Sequence, residues 1–97
     1  MKECIATYIL ASRRHGTLYV GVTSNLVQRI YQHREHLLPG FTHTHDVTML
    51  VYYEIHEEMA QAIHREKRLK KYKRQQKMAL IESKNPHWHD LWESITA

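Results

Sequence analysis

Two short stretches near the start of the chain, Ile5 to Leu10 and Leu18 to Val22, are rich in β-branched and aromatic residues, and polar Ser12-Arg13-Arg14-His15-Gly16 separates them. That pattern predicts a β-hairpin with a longer loop. Thr23-Ser24-Asn25 supplies N-cap chemistry for a helix over Leu26 to His36, which Pro39-Gly40 ends. A mixed loop through Asp46 leads into Thr48 to Tyr53, a third strand by its β-branched and aromatic content. Glu57 to Tyr72 reads as a long helix, Lys73 to Ser83 as a second helical stretch, and Asn85-Pro86 as a stop. His87 to Ser94 predicts a short closing helix that lays Trp88, Leu91 and Trp92 over the core. The order ββαβααα predicts an α+β domain built on a small antiparallel sheet.

Helical periodicity places polar residues where apolar ones belong. Leu26, Ile30 and Leu37 define a stripe on the first helix, and Arg29 and His33 fall inside or beside it. Gln28, Gln32 and Glu35 lie opposite. On the long helix, Met59, Ala62, Ile63 and Leu69 mark the inward side, and Glu66 falls in its middle. An ionised carboxylate and a guanidinium facing inward cost several kcal/mol unless paired or bound to metal. Two readings are open. One is a buried Arg29–Glu66 salt bridge; the other is a cleft in which Glu66 holds a cation and Arg29 and His33 address an anion. Strand alternation adds Tyr8, and it sends Tyr19 and Gly21 to one side of the second strand. Paired tyrosines are commonly half-buried sheet residues. Beside an inward Arg, His and Glu they complete a set that can relay a proton, stabilise a phosphorane and hold a divalent metal.

Composition and charge narrow the partners. The 97 residues, 42% apolar and 25% charged, suit one folded domain spanning 1–97 and argue against disorder. Cys4 is the single cysteine, which excludes a disulfide scaffold. No apolar run approaches the roughly 20 residues that cross a bilayer, and Met1 to Ile5 lacks a signal-peptide stretch. A cytoplasmic domain without membrane contact is expected. Between His64 and Lys77, Arg65, Lys67, Arg68, Lys70, Lys71, Lys73, Arg74 and Lys77 face one acid, Glu66, for a local charge of +7. The rest of the chain carries six basic and nine acidic residues, or −3. A solvated helix face is the plain reading of such a run; a phosphate-binding segment is the functional one.

The order of these residues resembles the GIY-YIG nuclease family in its small single-domain bacterial form. Ala6-Thr7-Tyr8 stands where the family has Gly-Ile-Tyr, and Tyr19-Val20-Gly21 where it has Tyr-Ile-Gly. Thr23-Ser24-Asn25-Leu26 running to Arg29 and His33 is similar to the family's first helix. Arg65-Glu66-Lys67 with Leu69-Lys70 is similar to the segment bearing its metal-binding glutamate, and Asn85 to Leu91 to its closing motif. The resemblance implies a three-stranded antiparallel sheet flanked by helices and a metal-dependent DNA endonuclease. It implies that Tyr8 and Tyr19 position or deprotonate the attacking water and that Arg29 stabilises the phosphorane. Glu66 would bind one Mg²⁺ or Mn²⁺, His33 would assist proton transfer, and Asn85 would shape the site. The eight cations from Arg65 to Lys77 are then expected to bind DNA, branched or flapped rather than of defined sequence.

Two competitors stand beside this expectation. One is a nucleic-acid-binding module of the same fold with weak or no activity, acting with a larger protein partner. The other is a zinc protein using His33, His36, His43 and His45, although structural zinc sites usually include Cys.

Overall fold

The computed structural model describes residues 4–97; Met1 to Glu3, part of the stretch read as lacking a signal peptide, lie outside the described residues. The elements are β1 (Ile5–Ala11), β2 (Leu18–Thr23), α1 (Leu26–Arg34), α2 (Phe41–Thr44), β3 (Met49–His56), α3 (Met59–Lys71), α4 (Arg74–Lys84) and α5 (Trp92–Thr96). The three strands form an antiparallel sheet in the order β2-β1-β3. This is the α+β architecture that the pattern predicts, with one short helix, α2, added inside the expected loop.

The central strand β1 is buried over six of its seven residues because both faces of the sheet are covered. Ala6, Tyr8 and Leu10 pack on one face with Leu26, Ile30, Val47 and Ile95. Ile9 and Ala11 pack on the other with Val20, Leu69, Ile81 and Trp88. The ladder between β1 and β3 slips at Ile9/Leu10, where Ile9 opposes Tyr52 and Leu10 opposes Leu50. Val51 is the extra residue of this bulge, and past it Tyr52, Glu54 and His56 share the α3 face.

Helix ends explain the differences from expectation. Asn25 caps α1, its side chain accepting from Gln28 N at 3.2 Å. The helix stops two residues early because His36 adopts a left-handed φ of 55°. His36 N then donates to His33 O and Leu37 N to Gln32 O, the paired bonds that close a helix C-terminus. Leu37 is therefore 61% exposed and is not part of the apolar stripe. At the other end, residues 87–91 are not helical, and the closing helix begins at Trp92. Trp88, with a left-handed φ of 57°, turns into the α3–α4 side of the core, whereas Trp92 packs on the α1 side. The two tryptophans close opposite faces.

Candidate active site

The site grows from a close approach between two strands. Tyr8 and Gly21 are directly opposite in the β1–β2 ladder. A Cβ on Gly21 would stand 2.4 Å from Tyr8 Cζ and 2.5 Å from its hydroxyl, so the phenol lies across the space that only glycine leaves. The Tyr-x-Gly spacing thus has a steric reason here. Tyr8 is fully buried, and its hydroxyl sits 2.9 Å from His33 Nε2. The other ring nitrogen, Nδ1, lies 3.0 Å from Thr42 Oγ1 on α2. Tyr19 stands beside both, with ring centroids 6.4 Å from Tyr8 and 5.8 Å from His33, and it stacks on Phe41 at an interplanar angle of 22°.

Charge surrounds this buried hydroxyl. Removal from water raises the Tyr8 pKa above the ordinary phenol value, and the neighbouring Tyr19 and Glu66 push it the same way. Arg29 opposes them through its charge and a side-chain hydrogen bond, both of which favour the phenolate. In the free protein burial wins, and Tyr8 is a neutral phenol at pH 7. His33 is held down to about 4, first by burial and then by Arg29, so its imidazole is neutral too. His33 thus touches the Tyr8 hydroxyl, Tyr19 packs beside the two rings, and Arg29 and Glu66 lie near enough for their charges to act on it.

The salt-bridge reading of Arg29 and Glu66 does not match this geometry. Glu66 pairs instead with Lys70 Nζ at 3.2 Å, four residues on, and among the described residues no ion pair joins it to Arg29. Its side chain is 16% exposed. The buried line of α3 runs through Ala62 and Leu69, while Ile63 is 37% exposed. Glu66 thus flanks the buried stripe on one side, and Arg65 flanks it on the other.

The remaining predicted residues separate. Asn85, the C-cap of α4, is buried against the far edge strand β3: Nδ2 donates to Val51 O at 3.1 Å and to His89 O at 2.9 Å, and Oδ1 accepts from His89 N. It satisfies the carbonyl of the bulged residue and fixes the 85–89 turn, and these side-chain hydrogen bonds reach none of the five clustered residues. Arg65 donates twice to Glu54 at 2.9 Å and lies over Tyr72, while Tyr52 hydrogen-bonds to the same carboxylate. Arg74 donates to His15 O and Gly16 O, tying α4 to the hairpin loop. Lys70 is engaged with Glu66. Lys67, Arg68, Lys71, Lys73 and Lys77 are left at the surface, fully or partly exposed. The histidines do not assemble a zinc site: His33 is occupied by Tyr8 and Thr42, and His36 pairs with Asp46 at 2.9 Å. Among the described residues no three His, Cys, Asp or Glu side chains form a group that could hold a metal. A cation at Glu66 would thus have one carboxylate and would draw other ligands from water and substrate phosphate. Mg²⁺ is commonly held this way, through one or two carboxylates plus phosphates, so the residues fit it.

Comparison with known proteins agrees with the geometry. Residues 4–79 match the family model described as the GIY-YIG catalytic domain, and the chain belongs to that family. Membership supports a nuclease-type function with DNA as the substrate class. Relatives include bacterial proteins named UPF0213. One from Staphylococcus haemolyticus is 34% identical over 71 residues, covering 73% of this chain and 87% of its own length. Another from Clostridium perfringens is 38% identical over 78 residues, covering 80% and 83%. No solved structure matches the chain. Among the described residues no helix is long and apolar enough to cross a membrane.

Sequence reasoning missed Thr42 and Phe41, because a threonine and a phenylalanine in a polar loop carry no periodic signal. It also missed Glu54 as the partner of Arg65.

Proposed function

We propose that this protein is a divalent-metal-dependent DNA endonuclease that hydrolyses a phosphodiester by in-line attack of water. The observation that carries the reading is the buried Tyr8 hydroxyl in contact with His33, with Tyr19 packed beside both rings and the charges of Arg29 and Glu66 acting on it. Tyr8 and Tyr19 would hold the attacking water. Arg29 offers a fixed positive charge where a phosphorane gathers negative charge, an arrangement effective only when the donor is already oriented. Glu66 would hold Mg²⁺ or Mn²⁺ together with the substrate's phosphate, releasing Lys70. The bound ion would supply Lewis-acid stabilisation of the leaving oxygen. The surface cations on α3 and α4 suit phosphate contacts that orient a duplex without reading its bases, which favours recognition of DNA structure over sequence.

One observation favours a binding module without turnover: Glu66 already has a cation partner in Lys70. A nicking assay on branched, flapped and linear DNA, with Mg²⁺, with Mn²⁺ and with chelator, separates the two. Metal-dependent nicks that favour branched or flapped substrates support the endonuclease. Binding without nicks in any metal supports the module.

A further inference from the structure

One ring stands at the edge of the candidate site and takes no part in its hydrogen bonds. Phe41, the first residue of α2, is 46% exposed. A lone exposed apolar side chain is ordinary; three features set this one apart. First, the aromatic rings form a row that leads from the Tyr8 hydroxyl to solvent. Tyr8 is buried, Tyr19 is half-buried with its ring 6.4 Å from that of Tyr8, and Phe41 lies 6.4 Å from Tyr19 with the two rings near parallel. Second, Phe41 is held in place. Thr42 beside it is buried against His33, Val47 N donates to Thr42 O at 2.9 Å, and Val47 itself lies in the core. Third, the Phe41 ring already carries a flat heteroaromatic neighbour. The exposed His45 imidazole lies 4.4 Å from it, and among the described residues no hydrogen bond or ion pair holds that side chain. Another flat ring can take its place without breaking a polar bond.

We propose that Phe41 is a stacking platform for one unpaired base of the DNA, close to the phosphate that the Tyr8–Tyr19 cleft addresses, with the base displacing His45 from the ring. Its place beside a reacting phosphate rests on the nuclease reading; the stacking does not. Inside a duplex each base has both π faces covered by its neighbours. A protein ring therefore meets a base face only where stacking is interrupted, as in a flap, a gap or a junction. Every base has such a face, so the platform selects DNA structure without reading sequence. The preference for flapped or branched DNA then has a named residue outside the set that surrounds the Tyr8 hydroxyl. The histidine-rich loop gains a purpose at two positions: α2 fixes Phe41, and His45 covers its ring until a base arrives.

The test is binding by the full-length protein, in chelator, of a fully paired duplex and of a matched flap in which 2-aminopurine marks each unpaired position in turn. The fluorescence of this base falls when it stacks on a ring. Wild type should quench it at an unpaired position near the branch. Phe41→Leu keeps an apolar side chain and removes the ring. It should lose the quenching and bind the flap about 5- to 100-fold more weakly, as for one lost base–aromatic stack, while binding the duplex as wild type does. Phe41→Trp should keep both the quenching and the affinity. Equal losses on flap and duplex in Phe41→Leu would mark a structural role and overturn the proposal. Unchanged flap affinity in that variant overturns it too, as does a wild type that quenches at no position. Should Phe41→Leu fail to fold, the wild-type quenching scan decides alone. A wild type that stacks the base yet never nicks DNA in Mg²⁺ or Mn²⁺ defeats the nuclease reading and leaves the platform standing.

Discussion

Replacing Gly21 by alanine tests whether the Tyr8 hydroxyl must sit where it does. The new Cβ would lie 2.4 Å from Tyr8 Cζ, 2.5 Å from Oη and 2.9 Å from Cε1. Ordinary carbon contacts begin near 3.5 Å, so the ring must move by about 1 Å. Tyr8 is fully buried against Leu26 and Ile30, so the motion also disturbs α1. A shift of that size stretches the 2.9 Å contact with His33 beyond hydrogen-bonding range. Overpacking of this kind costs about 1 to 3 kcal/mol, and misplacing a reacting group by about 1 Å costs on the order of 10² in rate. Thermal melting and nicking rate on one preparation of Gly21→Ala measure both. In a Tyr8→Leu background the stability cost of Gly21→Ala should shrink, since the phenol it strikes is gone. An alanine variant with wild-type melting and wild-type nicking refutes the steric argument and, with it, the placement of the hydroxyl at the reaction centre.

Other outcomes follow from the same geometry. His33 has its folded pKa pushed down to about 4, below the unfolded value near 6.5. Its neutral form therefore contributes stability that is complete above pH 6.5 and is lost as pH falls toward 4; melting at pH 7 and pH 5 should differ more in wild type than in His33→Gln. Arg65→Ala should lower stability by about 1.5 to 3 kcal/mol, because it strips Glu54 of two charge-assisted bonds. Lys67→Ala and Lys71→Ala should leave melting within about 0.5 kcal/mol of wild type and weaken DNA binding, as filter binding would show. With roughly four phosphate contacts from the exposed cations, log K should fall with log salt at a slope of about −3 to −4, and a salt-independent affinity would refute phosphate binding. Arg29→Ala should reduce nicking by about 10² to 10³ with DNA affinity little changed; parallel loss of rate, affinity and melting temperature would mark it as structural.

The sheet and its helices were legible because alternation and helical period are local signals, and β1 and β2 extend only one residue past the predicted ends. The inward placement of His33 and Arg29 was legible for the same reason: both fall beside the line of Leu26 and Ile30, and His33 is 95% buried in consequence. The partners were not legible. Period alone left Glu66 free to meet Arg29, but the pairing depends on where α3 crosses the sheet, and that crossing turns Glu66 to the flank, beside Lys70. Arg65 looked like any cation of the basic run until Glu54 came opposite it from β3, a contact that the bulge at Val51 sets by fixing which residues of β3 face α3. Thr42 was invisible because its meaning depends on a ring nitrogen nine residues away.

The central claim is that Glu66 holds the catalytic cation, and the most direct measurement is metal-dependent nicking by Glu66→Gln alongside its melting temperature and its DNA affinity without metal. The substitution keeps the side chain's shape and removes its charge. Its lost partner is the half-exposed Lys70 rather than a buried Arg29, so stability should stay within about 0.5 kcal/mol of wild type. DNA should bind as well as before or more tightly, since one negative charge beside the phosphates is gone. Nicking with Mg²⁺ or Mn²⁺ should vanish. A Glu66→Gln protein that still cuts at the wild-type rate, or that unfolds, would contradict the assignment.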